Sequence, residues 1–213
     1  DAFFVAFRIP NTFRRLFAEG TFNSAFIPSY MSELVKNKSR SNKFANDVFN
    51  LLFLVLFFLV LIIEIFMPIF VGLIAPGFVE DIKKFELATT LTRITFPFLL
   101  FVSLSSFFGA ILNSHNKFAA ASAAPIVLNI VLIIILLFGR YLGDELIYYL
   151  SYGISLAGLL QLIFLYRFVK KYYVIDFDLK FKITNKVKIF FKKLLPSIFS
   201  SGVTQINILV GTI

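Results

Sequence analysis

Val48 to Ile74 is an apolar run of 27 residues interrupted by one charge, Glu64. As a helix rising about 1.5 Å per residue it would be ~40 Å long. That exceeds the ~30 Å hydrocarbon core of a bilayer. Inside that core every backbone N–H and C=O must be satisfied by the segment itself, which leaves a helix as the form for a single run of this kind. Pro68 is expected to kink this helix near its end. The Ala75-Pro76-Gly77 stretch is a turn signal that closes it. Five more runs are candidates: Ala2 to about Leu34 (the least apolar), about Phe85 to Leu112, Phe118 to Phe138, Leu146 to Val169, and Leu194 to Ile213. The expected fold is therefore all-α, a polytopic transmembrane helical bundle. Composition agrees. The chain is 59% hydrophobic and 15% charged, with a mean hydropathy of +0.87, whereas a globular domain is about 45–50% apolar and about 25% charged.

The net charge of +9 raises the question of nucleic acid, and the positions of the charges answer it. The first, third and fifth loops hold 14 Lys and Arg, among them Lys36, Lys38, Arg40, Lys43, Lys117 and a run from Arg167 to Lys193. The second and fourth loops hold three: Lys83, Lys84 and Arg140. The positive-inside rule puts the odd loops in the cytoplasm, so no nucleic-acid partner is expected. From Lys180 to Leu194, Ile183, Val187, Phe190, Phe191 and Leu194 recur at helical spacing with lysines on the other face. Such a basic amphipathic helix suits an anionic leaflet; the alternative is a linker helix packed on the protein. The chain has no cysteine, hence no disulfide or thiolate metal site. It begins at Asp1 without a signal peptide and ends inside an apolar run, so it reads as a piece of a longer protein.

The first segment carries the most informative polar residues: Arg8, Asn11, Arg14, Arg15 and Glu19, with Pro10 among them. One Arg at the bilayer centre costs ~2.5–3.5 kcal/mol on insertion scales, so three would not face lipid. Arg8 and Arg15 are seven apart and share a face; Glu19 lies four beyond Arg15, within pairing reach. A cationic face on a helix bent at Pro10 suggests a water-filled cavity for an anion, and the planar guanidinium fork suits phosphate. The other reading is that Arg14 and Arg15 snorkel to the interface or pair with Glu19. Glu64 is expected at the outer interface, and Arg93 to snorkel. Ser103, Ser105, Ser106 and Gly109 read as a packing stretch, and His115 as a surface histidine. Gln205 and Asn207 could line a pore or bond a neighbouring helix. There is no Gly-rich phosphate loop, no zinc-protease motif and no Cys/His pair, so neither an enzyme nor a cofactor or metal site is expected.

Several blocks carry a resemblance: Asp1 to Asn11, Arg14-Arg15-Leu-Phe-Ala-Glu-Gly20, Ala25-Phe-Ile-Pro28, Ala75-Pro-Gly-Phe78, Ile94-Thr-Phe-Pro97, Gly109-Ala-Ile-Leu-Asn113, Ala124-Pro125, Leu128-Asn129, Gln205-Ile-Asn207 and Thr212. In this order they closely resemble the MurJ (MviN) family of lipid II flippases, in the MOP exporter superfamily. The resemblance implies fourteen helices in two lobes around a cationic cavity. Residues 1–171 would be N-terminal lobe helices, 172–193 a basic cytoplasmic linker, and 194–213 the start of the C-terminal lobe.

It also implies a role. The family moves lipid II, the lipid-linked peptidoglycan precursor, from the cytoplasmic to the periplasmic leaflet of the bacterial inner membrane. That step serves cell wall biogenesis and cell shape. Arg14 matches a cavity arginine, and Arg15 and Arg8 extend the substrate-binding set. Glu19, near the family's portal and gate, together with Asp1 and Asn11, would form the gate. The implied partners are lipid II, membrane lipids and cell-wall synthesis proteins. One departure stands out: some members carry an acidic sodium ligand where this chain has Gly211. The rival readings are another exporter of the superfamily, for a lipid-linked oligosaccharide, and a non-transporting membrane scaffold or remnant.

Overall fold

The computed structural model describes residues 1–18, 21–141, 143–178, 184–192, 194 and 196. Among these, every regular element is helical: α1 (Ala2–Ala18), α2 (Thr21–Leu34), α3 (Lys38–Ile65), α4 (Met67–Ile74), α5 (Ile82–Thr95), α6 (Phe98–Ser114), α7 (Phe118–Leu137) and α8 (Leu146–Val169). Four passages are long and apolar enough to cross a membrane: Lys38–Ile65, Ile82–Ser114, Phe118–Leu137 and Leu146–Val169. The first expected run divides into α1 and α2. The sixth, 194–213, lies outside the described residues except at 194 and 196.

The breaks follow from local chemistry. Pro68 sits in the first turn of α4 and cannot donate to the carbonyl four residues back, so α3 stops at Ile65 and a new helix starts. Pro97 separates α5 from α6 in the same way. The third helix starts at Lys38, ahead of the expected Val48. The cause is Asn37, whose side chain accepts the Ser39 N–H at 2.9 Å and caps the helix. An apolar-run criterion ignores such a polar first turn.

α6 is the hub. It packs against α1, α2, α3, α7 and α8, and most of its side chains are buried, from Phe98 to Ser114. Lipid tails are as apolar as leucine, so close packing rather than water exclusion must hold such helices together. Gly158 of α8 supplies that closeness: a Cβ there would lie 2.6 Å from Phe98 Cδ2 and 3.2 Å from Phe101 Cβ. α7 by contrast shows Ile126, Ile130, Ile133, Ile134 and Leu137 on its outside, as a lipid-facing helix should.

The three lysine-rich loops meet at one end, as the charge count requires if they share a side of the membrane. His115, after α6, stacks on Tyr172, after α8, at 4.6 Å between ring centroids. Its Nε2 is hydrogen-bonded to the hydroxyl of Tyr30 on α2 at 3.1 Å. His115 is thus a half-buried clamp residue, not the expected surface histidine; the two tyrosines that enclose it are remote in sequence. Beside it, Asn46 and Asn50 of α3 tie down the chain that leaves α8. Asn46 Oδ1 accepts the Asp176 N–H at 2.9 Å, and Asn50 Nδ2 donates to the Asp176 carbonyl at 3.1 Å.

The amphipathic segment also departs from the leaflet-lying expectation. Residues 185–192 are helical, and Val187, Phe190 and Leu194 are buried in the same core as α2, α3 and α6. The Phe190 ring lies 5.8 Å from Phe22 and 6.1 Å from both Phe26 and Phe44. Lys186 Nζ donates to Glu33 Oε2 at 2.6 Å, and Lys36 holds the other oxygen at 3.1 Å. The apolar face packs on protein, not on lipid. An aromatic socket on another helix is invisible to the periodicity of the segment itself. Ile183 lies outside the described residues.

Candidate functional site

α1 is fixed to the bundle on one side and carries its polar residues on others. Ala2 and Ala6 are buried against Leu91, Phe96 and Leu99. Small residues let α1 approach α5 and α6 closely. Pro10 lies in the interior of the helix, so the carbonyl of Ala6 loses its intrahelical N–H. Thr95 of α5 replaces it: its Oγ1 donates to the Ala6 oxygen at 2.8 Å. A second repair lies alongside, where Ser155 Oγ of α8 donates to the carbonyl of Ile94, next to the α5–α6 break. The carbonyl that Pro10 frees is therefore satisfied within the bundle.

On this frame, positions 1, 8 and 15 fall seven apart and so on one side of α1, with 11 and 14 displaced around the helix by the ~100° each residue turns. Asp1 is exposed, and its carbonyl accepts the Val5 N–H at 3.2 Å. Arg8 and Asn11 are partly buried, and neither is without a partner. Arg14 and Arg15 lie on the helical backbone of α1, but their side chains are outside the description, as is Glu19 altogether. Gln205, Asn207 and Gly211 also lie outside it. Among the described residues no group of acidic, His or Cys side chains is arranged to hold a metal.

Glu64 and Arg93 form a further pair of charges that interact across α3 and α5. Glu64 of α3 is partly buried, with Oε1 lacking a hydrogen-bond partner among the described residues, and Arg93 of α5 is the charge that acts on it. Arg93 itself is exposed, consistent with a snorkelling side chain.

Against this geometry the comparisons with known proteins are specific. A model of the family described as "Lipid II flippase MurJ" matches residues 1–213. The chain belongs to the MurJ family. It is 43% identical to a "Probable lipid II flippase MurJ" of Rickettsia prowazekii, over 99% of this chain and 41% of that protein. It is 41% identical to the one of Rhizobium meliloti, over 100% of this chain and 41% of that protein. A solved structure titled "Lipid II flippase MurJ, inward closed conformation" superimposes with a TM-score of 0.82 at 27% identity, over 99% of this chain and 42% of that one. This MurJ-family chain spans about two fifths of the length of the curated relatives it matches. Its membership and its four membrane-crossing passages make it a multi-pass inner-membrane protein.

Sequence reasoning found the arginines of α1 but not what holds them. The Ile94-Thr-Phe-Pro97 block was visible, yet nothing local says that its threonine answers Pro10, 85 positions earlier. The readable signal was the proline: a helix-interior proline in a membrane always leaves one carbonyl in want of a donor.

Proposed function

We propose that this chain is the substrate-handling N-terminal lobe, through residue 171, of a flippase that moves lipid II from the cytoplasmic to the periplasmic leaflet by alternating access. Residues 172–193 are its cytoplasmic linker, and 194–213 begin the second lobe. The observation that carries the reading is α1: a helix seated on the bundle by Ala2 and Ala6, with an interior proline whose freed carbonyl is bonded by Thr95, and bearing Arg8, Arg14 and Arg15. Three arginines in one helix of a membrane protein are costly unless they serve an ion or substrate path. Arg14 holds the diphosphate through paired N–H donors, with Arg15 and Arg8 adding positive potential. Glu19, Asp1 and Asn11 form the gate, Glu19 pairing with an arginine when the site is empty. The lipid tail stays in the bilayer while the two lobes rock around the site. The role is transport, with no covalent step.

The test is complementation. The parent protein is expressed in cells depleted of their own lipid II flippase, as wild type and as Arg14→Ala. Wild type restores growth. Arg14→Ala fails to, at equal membrane abundance. Growth supported equally by both would remove Arg14 from the site.

A further inference from the structure

The cationic stretch of α1 is not the only polar feature inside the lobe. A half-open cavity of about 250 Å³ lies between α2, α6, α7 and α8. None of the described residues lining it is charged. It is nevertheless rich in hydrogen-bonding groups: the amides of Asn23, Asn113 and Gln161 and the hydroxyls of Ser105 and Ser122. Two of these have an atom without a partner among the described residues. Asn23 Oδ1 and Ser105 Oγ are buried and make no hydrogen bond among the described residues. Ser105 is 3% exposed and Gln161 4%. Pro125 of α7 adds a further need. It cannot donate to the carbonyl four residues back, that of Ala121, and both residues line the cavity.

Buried polar groups left unpaired cost about 1–3 kcal/mol each. Packing alone does not offset a cluster of them within a membrane lobe. The space is too large for one bridging water; at about 30 Å³ per water it would take roughly eight. Phe98, Val102, Leu128 and Leu165 add apolar surface to the same lining. Neutral amides and hydroxyls interleaved with aromatic and aliphatic side chains match one chemical class well. That class is a sugar ring, with hydroxyl or acetamido groups on its edge and C–H bonds on its face.

We propose that this cavity is a sugar subsite that receives an uncharged carbohydrate unit of the lipid-linked substrate, with Asn23 and Gln161 as its hydrogen-bonding residues. The proposal rests on the flippase reading above. It divides recognition chemically: the arginines of α1 take the diphosphate, and the neutral cavity takes sugar. The apolar side chains of the lining meet the C–H face. The amides, each both donor and acceptor, bond the edge. Such a site discriminates strongly, because a ligand lacking the polar groups leaves the protein amides unpaired.

The experiment uses the full-length parent protein in detergent and two probes, undecaprenyl diphosphate and lipid II. Dissociation constants are measured for wild type and for Gln161→Met and Asn23→Leu, which remove hydrogen bonding while keeping side-chain volume. The expected result is that wild type prefers lipid II, that both variants bind undecaprenyl diphosphate as wild type does, and that their preference for lipid II falls about tenfold, the factor for 1.4 kcal/mol. Retained binding of undecaprenyl diphosphate shows that the variants are folded. If the preference is unchanged, the cavity holds only water and the proposal is overturned. If wild type binds neither probe, the flippase reading fails and this proposal with it. If a variant loses both probes, Ser105→Ala is measured in its place, and an unchanged preference there overturns the subsite.

Discussion

Thr95 is the residue on which the candidate site most depends without belonging to it. Its hydroxyl is the donor that Pro10 removed, delivered from another helix at 2.8 Å. Thr95→Val keeps the shape and deletes the donor, leaving the Ala6 carbonyl unpaired in a dry interface. The expected cost is about 1–3 kcal/mol, read as a lower thermal midpoint of the parent protein in detergent. An unchanged midpoint would mean that Ala6 finds another donor. His115 offers a second test at the end where the first, third and fifth loops meet. Burial between Tyr30 and Tyr172, reinforced by the positive charge of Lys38, holds its imidazole below the usual histidine value. The folded clamp therefore keeps the ring neutral, while the unfolded chain takes up a proton at about pH 6.5. Its stabilising contribution is complete above that pH and is lost as pH falls towards the lower folded value. Thermal midpoints of wild type should drop between pH 7 and 5 more than those of His115→Asn. Equal slopes would contradict the assignment.

Among the helices, what was legible in the sequence was whatever a local pattern encodes. Apolar length marked the second to fifth runs, the loop charges grouped three loops that do meet at one end, and Pro68 marked the α3–α4 break. What required the fold was every relation between distant segments. Asn37 as a cap lay outside an apolar-run criterion. The docking of residues 185–192 depended on Phe22, Phe26 and Phe44 forming a socket on two other helices. The small residues that let α8 approach α6 are at Gly158 as well as in the serine-rich stretch of α6, and Ser105 of that stretch faces a cavity rather than a helix. The docked linker makes a prediction of its own. Phe190→Ala removes the ring at the centre of the socket, a loss of about 3–5 kcal/mol for a buried phenylalanine. Trypsin should then cut after Lys186, Lys188 and Lys192 much faster in membranes containing the variant parent protein. Glu33→Gln, which loses only the ion pairs to two half-exposed lysines, should accelerate cutting less. Cleavage at the wild-type rate in Phe190→Ala would return the segment to the lipid surface.

Taken as one body, the lobe has two chemically distinct interiors. One end gathers the lysine-rich loops, the His115 clamp and the linker; the membrane part holds an arginine-bearing helix and a neutral amide-lined cavity. On the proposed flippase reading, such a division would suit a charged, sugar-bearing headgroup, since no single environment suits diphosphate and carbohydrate alike. The arginines proposed for the site stand out in the sequence, because three arginines in an apolar run are costly wherever they point. The neutral cavity does not, because Asn23, Ser105 and Gln161 come from three helices and are ordinary residues in each. The most direct measurement is translocation itself: the fraction of labelled lipid II reaching the outer leaflet in cells whose own flippase is depleted and replaced by the parent protein. Wild type should restore that fraction and Arg14→Ala should leave it at the depleted level with the protein still in the membrane. Full translocation by Arg14→Ala, or none by an abundant wild-type protein, would contradict a substrate-holding role for α1.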